Sequence, residues 1–172
     1  EMACVPEMVA IALEVRPEKV TLVPERREER TTEGGLDVFG AEDSIRTAIA
    51  TLADAGIPTS LFIDPEPSAV RATAALGAAE LELHTGDYAD ATTADERDKE
   101  LGRLVRAAKT VQDESLSLVI AAGHGLTVSN VPALLAAAPE IVELNIGHAV
   151  VSDAVMVGFG PAVEAFLAVM NS

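Results

Sequence analysis

The chain has 172 residues but only three histidines, and each closes an apolar, strand-like run beside a glycine. His84 ends Leu81-Glu82-Leu83-His84 ahead of Thr85-Gly86, His124 stands between Gly123 and Gly125, and His148 follows Gly147. An imidazole in such a place can exchange protons near neutral pH, and a glycine next to it lets the backbone come close to a bound group. The two glycine-histidine steps lie one strand-plus-helix unit apart, so a parallel arrangement puts both at the same end of neighbouring strands. Behind the second, residues 149–157 read as a short helix whose first N–H groups point at whatever sits above Gly147 and His148. Such a helix start suits a phosphate. A glycine after a strand is common in any strand-to-helix turn, and a lone histidine is often an ordinary polar residue. The shared placement of all three is what points to chemistry.

The elements that must position these residues follow from apolar spacing. Helical periodicity covers Pro6 to Val15, and Lys19 to Val23 reads as a strand closed by Pro24. The stretch 24–38, PERREERTTEGGLDV, is too charged and glycine-rich for a core and reads as a long loop at the strand's exit. Its Arg26, Arg27 and Arg30 are solvated charges beside glutamates, whereas Thr31, Thr32, Gly34 and Gly35 are better placed to touch a ligand. A helix over Ala41 to Ala55, a strand from Ser60 to Ile63 ending in Asp64, and a helix over Pro67 to Leu76 come next. They are followed by a strand over Leu81 to Leu83, an acidic loop containing Tyr88, and a long helix over Thr93 to Lys109. After the two glycine-histidine units, Pro161 to Met170 forms a last helix, with Val163, Phe166, Leu167 and Met170 expected on its buried face.

Strand and helix alternate with no hairpin signal, which means an α/β chain with parallel strands. A doubly wound sheet and a (β/α)8 TIM barrel both fit. The barrel is favoured because polar residues close nearly every strand (Asp64, His84, His124, His148 and, at the start, Glu1). In addition, the last two strands feed glycine-rich loops, with an extra helix before the final one, as in barrel phosphate sites. If the last strand is the eighth, residues 1–172 hold strands four to eight plus the tip of the third. That is a single, partial barrel domain, since a full barrel needs about 250 residues. The apolar runs VTLV, SLFI and LVI are then expected to present barrel-facing side chains as an exposed patch, so that this stretch alone would aggregate, self-associate through its open edges or remain loosely packed.

Composition sets further limits. Hydrophobic residues make up 49% and aromatics 3% of the chain, so the core is built from Ala, Val, Leu and Ile. The formal charge of −16 repels nucleic-acid backbones and anionic membranes. No apolar run approaches the length of a membrane span. A lone cysteine, Cys4, excludes an internal disulfide framework and fits a reducing, cytoplasmic setting.

Four blocks, TTEGGLDV, HTGDYAD, AGHGLT and ELNIGH, together with TLVPE and SLFIDPE, resemble in order and across the whole chain the pyridoxine 5′-phosphate synthase (PdxJ) family. The resemblance implies a (β/α)8 barrel that uses no cofactor and no metal and assembles into homo-oligomers, typically octamers. It implies condensation of 1-deoxy-D-xylulose 5-phosphate with 3-amino-2-oxopropyl phosphate to pyridoxine 5′-phosphate, phosphate and water. On this resemblance Glu1 falls on the family's glutamate acid/base and His124 on its histidine proton donor. Gly125, Gly147 and His148 match the residues holding the amino-oxopropyl phosphate, Thr31 matches a deoxyxylulose phosphate contact, and Glu82 is an inward residue that assists. The family's HLRxDRRH segment has no counterpart in these residues, and Ala121 stands where the family usually has asparagine. Two other readings are open on the residues alone. One is a metal site built from the three histidines with Glu1 or Glu82; the other is a non-catalytic, phosphate-binding piece.

Overall fold

The computed structural model describes residues 1–24 and 34–170, so Arg26, Arg27, Arg30 and Thr31 lie outside the described residues. The elements run β1 (Met2–Ala3), α1 (Pro6–Val15), β2 (Val20–Val23), α2 (Glu42–Asp54), β3 (Thr59–Ile63), α3 (Pro67–Leu76), β4 (Glu80–His84), α4 (Gly86–Asp90), α5 (Ala94–Asp113), β5 (Val119–Gly123), α6 (Val131–Ala137), β6 (Glu143–Asn145), α7 (His148–Val157) and α8 (Phe159–Met170). The strands form one six-stranded sheet in chain order, and every pairing is parallel. A doubly wound sheet reverses its order at a switch point. This order never reverses, which is the winding of a barrel-like sheet.

Strand alternation divides the sheet cleanly. Leu22, Leu61, Ile63, Leu81 and Leu83 have no exposed surface and join Ile45, Leu52, Val70 and Leu104 of the helices in one core cluster. Alternate residues therefore face the other way: Thr21, Ser60, Glu80, Glu82, His84, Ala121, Gly123 and Asn145, aligned by register across β2 to β6. The expectation of an apolar, exposed barrel-facing patch from VTLV, SLFI and LVI is thus corrected. The leucines and isoleucines of those runs pack under the helices, and the opposite face is mostly polar.

Within those runs Val119 is exposed, at 46%, but the most exposed apolar side chains lie elsewhere. On α7 and α8, Val155 and Met156 are 80% and 84% exposed, and Phe159 is 65% exposed. The buried face of α8 is Ala162 and Phe166, while Leu167 and Met170 are exposed. The apolar stripe of this helix is wider than the surface it covers, so periodicity alone assigned too many residues to the core.

The acidic loop expected around Tyr88 is the short helix α4. Tyr88 is buried, and its hydroxyl donates to the Asn130 carbonyl at 2.8 Å. Arg103 of α5 holds α4 from outside, donating to Asp87 at 3.0 Å and to Glu66 at 2.9 Å. Helix α5 begins with a capping box. Thr93 Oγ1 accepts from the Glu96 N–H at 3.2 Å, and the Glu96 carboxylate accepts from the Thr93 N–H at 3.1 Å. Removing the cap oxygen with Thr93→Ala is expected to cost about 1 kcal/mol of stability, read as a lower denaturation midpoint, with Thr93→Ser restoring it.

Candidate functional site

The polar face of the sheet floors a cavity of about 1030 Å³ whose lining includes Glu1, Glu82, His84, His124, Asn145 and His148. Glu82 sits in the middle of β4, 4% exposed, with Asn145 Nδ2 donating to its Oε2 at 2.7 Å. A Cβ on Gly123 would collide with Glu82 Oε1, so the glycine of this strand end is what leaves room for the carboxyl. Burial pushes the Glu82 carboxyl up to about 7. The Asn145 hydrogen bond opposes this, the Glu1 and Glu80 charges add to it, and the Lys19 charge opposes it again. Glu82 is therefore poised to carry or release a proton near neutral pH.

Beneath it lies an ionic floor. Lys19, just before β2, donates to Glu80 of β4 at 2.8 Å and to Glu143 of β6 at 2.6 Å. Burial alone would lower the pKa of the Lys19 ammonium, but its hydrogen bonds to Glu143 and Glu80 outweigh that and hold it above the ordinary lysine value.

The histidines occupy the upper part of the cavity. His84 ends β4 with its side chain 5% exposed, and its Nδ1 lies 3.8 Å from Asp64 Oδ1. The ring of Phe62 meets it edge-on at 5.1 Å, and the His124 ring lies 4.9 Å away, centroid to centroid. His124 follows β5 with φ +82°, and Gly125 has φ +74°. The left-handed backbone is uncommon for a residue with a Cβ. Gly147 is the N-cap of α7 and His148 its first residue; both line the cavity, as does Gly125. Glu1 precedes β1 on the same cavity.

The Gly34-Gly35 pair also lines this space. The Gly35 N–H donates to Asp64 Oδ1 at 2.7 Å, and the Leu36 N–H to the Phe62 carbonyl at 2.7 Å. A Cβ at Gly35 would run into the backbone of Ile63 and Asp64, so glycine here lets the segment lie directly against the end of β3.

The structure thus brings Glu1, Glu82, His124, Gly125, Gly147 and His148 to one cavity, while Thr31 lies outside the described residues. Sequence reasoning missed Asn145. Strand alternation could have found it, because Asn145 is two residues beyond the inward Glu143. Among the described residues no group of three or more His, Cys, Asp or Glu side chains is arranged to hold a metal ion, so the three strand-end histidines do not form such a cluster. No helix among the described residues is long and apolar enough to cross a membrane.

A barrel-like parallel sheet whose polar face carries a buried carboxyl below strand-end imidazoles has the architecture of an α/β enzyme. The family model described as pyridoxal phosphate biosynthesis protein PdxJ matches residues 1–172, and the chain belongs to this family, as an enzyme of pyridoxal phosphate biosynthesis. It is 54% identical over 164 residues to the pyridoxine 5′-phosphate synthase of Synechococcus sp. (strain JA-2-3B'a(2-13)), covering 95% of this chain and 67% of that protein. Among solved structures, phosphoribosyl anthranilate isomerase from Thermococcus kodakaraensis superposes with a TM-score of 0.62 at 17% identity, over 98% of this chain and 70% of that one. A chain of the Amycolatopsis orientalis BexX/CysO complex gives 0.56 at 15% identity, over 95% of this chain and 61% of that one. These two likenesses concern the fold alone.

Proposed function

We propose that this chain carries pyridoxine 5′-phosphate synthase activity, condensing 1-deoxy-D-xylulose 5-phosphate with 3-amino-2-oxopropyl phosphate and releasing phosphate and water. The observation that carries the reading is the joint presence of Glu1, Glu82 and His124 in one cavity, with the Glu82 carboxyl pushed up by burial to about 7. Imine formation, loss of water, phosphate elimination and ring closure are largely proton transfers, which such groups perform when their pKa values lie close to the working pH. In this reading His124 gives the proton to the leaving oxygen and Glu1 takes up and returns protons at the substrate carbons. Glu82, protonated in part at neutral pH, steadies the developing negative charge by sharing its proton. Gly125, Gly147 and His148 hold the amino-oxopropyl phosphate, where the free N–H groups at the start of α7 favour an anion. Thr31 contacts the sugar phosphate.

The same reading takes the sheet as part of a closed (β/α)8 barrel, residues 1–172 being one stretch of a single domain. It places the protein in the cytoplasm as a homo-oligomer of octameric type, with small phosphorylated substrates as its partners. The test is to incubate the full chain with both substrates and follow pyridoxine 5′-phosphate and inorganic phosphate together. Equal amounts of the two, undiminished after treatment with EDTA, are expected; absence of product, or activity that returns only with added zinc or manganese, would overturn the reading.

A further inference from the structure

His124 enters the cavity on a backbone that a residue with a Cβ does not adopt readily, at φ +82° and followed by another positive φ at Gly125. Something must hold that turn: Asn130 Nδ2 donates to the Gly125 carbonyl at 3.2 Å, and the shorter contacts to Gly123 and His124 come from the end of the neighbouring strand. Thr85 has no exposed surface. Its N–H donates to the Gly123 carbonyl at 2.9 Å. Its hydroxyl lies 2.7 Å from the same carbonyl and 2.6 Å from the His124 carbonyl. The hydroxyl has one proton and each carbonyl oxygen two lone pairs, so that proton is held between the Gly123 and His124 carbonyls, and the Thr85 side chain ties the two together. The next residue, Gly86, leaves the space the rings need, since a Cβ there would lie 2.7 Å from His84 Nε2 and 3.2 Å from His124 Cδ2.

From these contacts we infer that Thr85 is a positioning residue for His124, its hydroxyl clamping the left-handed turn that aims the imidazole into the cavity. The inference rests on the acid role given to His124 above but adds a residue that role does not name. It also gives a physical reason for HTG and AGHG to occur in one chain: one turn is built to grip the other.

The experiment compares two variants of the full chain that both lose the Thr85 methyl group and differ only in the hydroxyl, Thr85→Ser and Thr85→Ala. The serine variant is expected to keep kcat within about threefold of the parent. The alanine variant should lose about ten- to a hundredfold in kcat with KM little changed, the scale of a catalytic group displaced by an ångström or less. A second readout needs no turnover. The imidazole resonances of His124, assigned by their loss in His124→Asn, should shift or broaden in the alanine variant and stay in place in the serine variant. Equal kcat in the two variants, or His124 resonances that do not distinguish them, would overturn the clamp. If the parent makes no product, the proposed reaction fails, and the resonances alone decide whether Thr85 positions His124.

Discussion

His124→Asn in the full chain is expected to lower kcat by about a hundredfold or more, the usual consequence of removing a general acid or base. Asparagine is the informative replacement at this position. After glycine it is among the residues most tolerant of a left-handed backbone, so the turn at φ +82° keeps its shape. It also retains a polar side chain beside His84. What it removes is the ability to exchange a proton near neutral pH. Steady-state kinetics on folded variant protein are the measurement, with circular dichroism confirming the fold. Turnover within a few-fold of the parent would show that the proton is delivered by another group in the cavity.

Glu82→Gln is expected to stabilise the protein at high pH and to do nothing at low pH. The Glu82 carboxyl is raised from 4.5 to about 7, first by burial. Between those two values the folded chain still holds a proton at Glu82 that the unfolded chain has released, so raising the pH weakens the fold across that window. Above pH 7 the accumulated loss is about 3 kcal/mol. A neutral amide of the same shape escapes it. Denaturant titrations at about pH 8 should therefore give the variant the higher stability by a margin of that order, and titrations at about pH 4 should give nearly equal values. A variant equally stable or weaker at the higher pH would mean that Glu82 is ionised in the folded chain at little cost.

The alternation of strands and helices, their parallel sense and the placing of the histidines at strand ends could all be read from local pattern. So could the inward position of Glu82. What could not be read were relations between distant segments. Lys19 reaches Glu80 and Glu143 across 61 and 124 residues of chain, and nothing near Lys19 announces it. Tyr88 sits among acidic residues that look like a loop; its buried hydroxyl is satisfied by the Asn130 carbonyl, 42 residues away. The misplaced apolar patch has a different origin. Runs such as VTLV and SLFI carry one small polar residue each, Thr21 and Ser60, too weak a mark to declare which alternate residues face the helices. The run Glu80-Leu81-Glu82-Leu83-His84 does declare it, and parallel register carries that parity to the neighbouring strands. Thr85 escaped notice because its effect is on the backbone of another strand.

The ionic floor also gives the cavity a direction. One ammonium lies between two carboxylates at Lys19, Glu80 and Glu143, with Glu82 just above them, while the N–H groups opening α7 lie at the strand-exit end. A molecule with a phosphate at one end meets repulsion inward and attraction outward, so it enters tail last. In the proposed reaction its carbonyl or ammonium end would then point toward Glu82 and His124, with the phosphate nearer the entrance. The same gradient acts on departure. Inorganic phosphate set free in the cavity would be pushed outward by the same carboxylates, so in the proposed reaction the acidic interior that looks ill suited to anionic substrates would orient them on the way in and favour loss of phosphate on the way out.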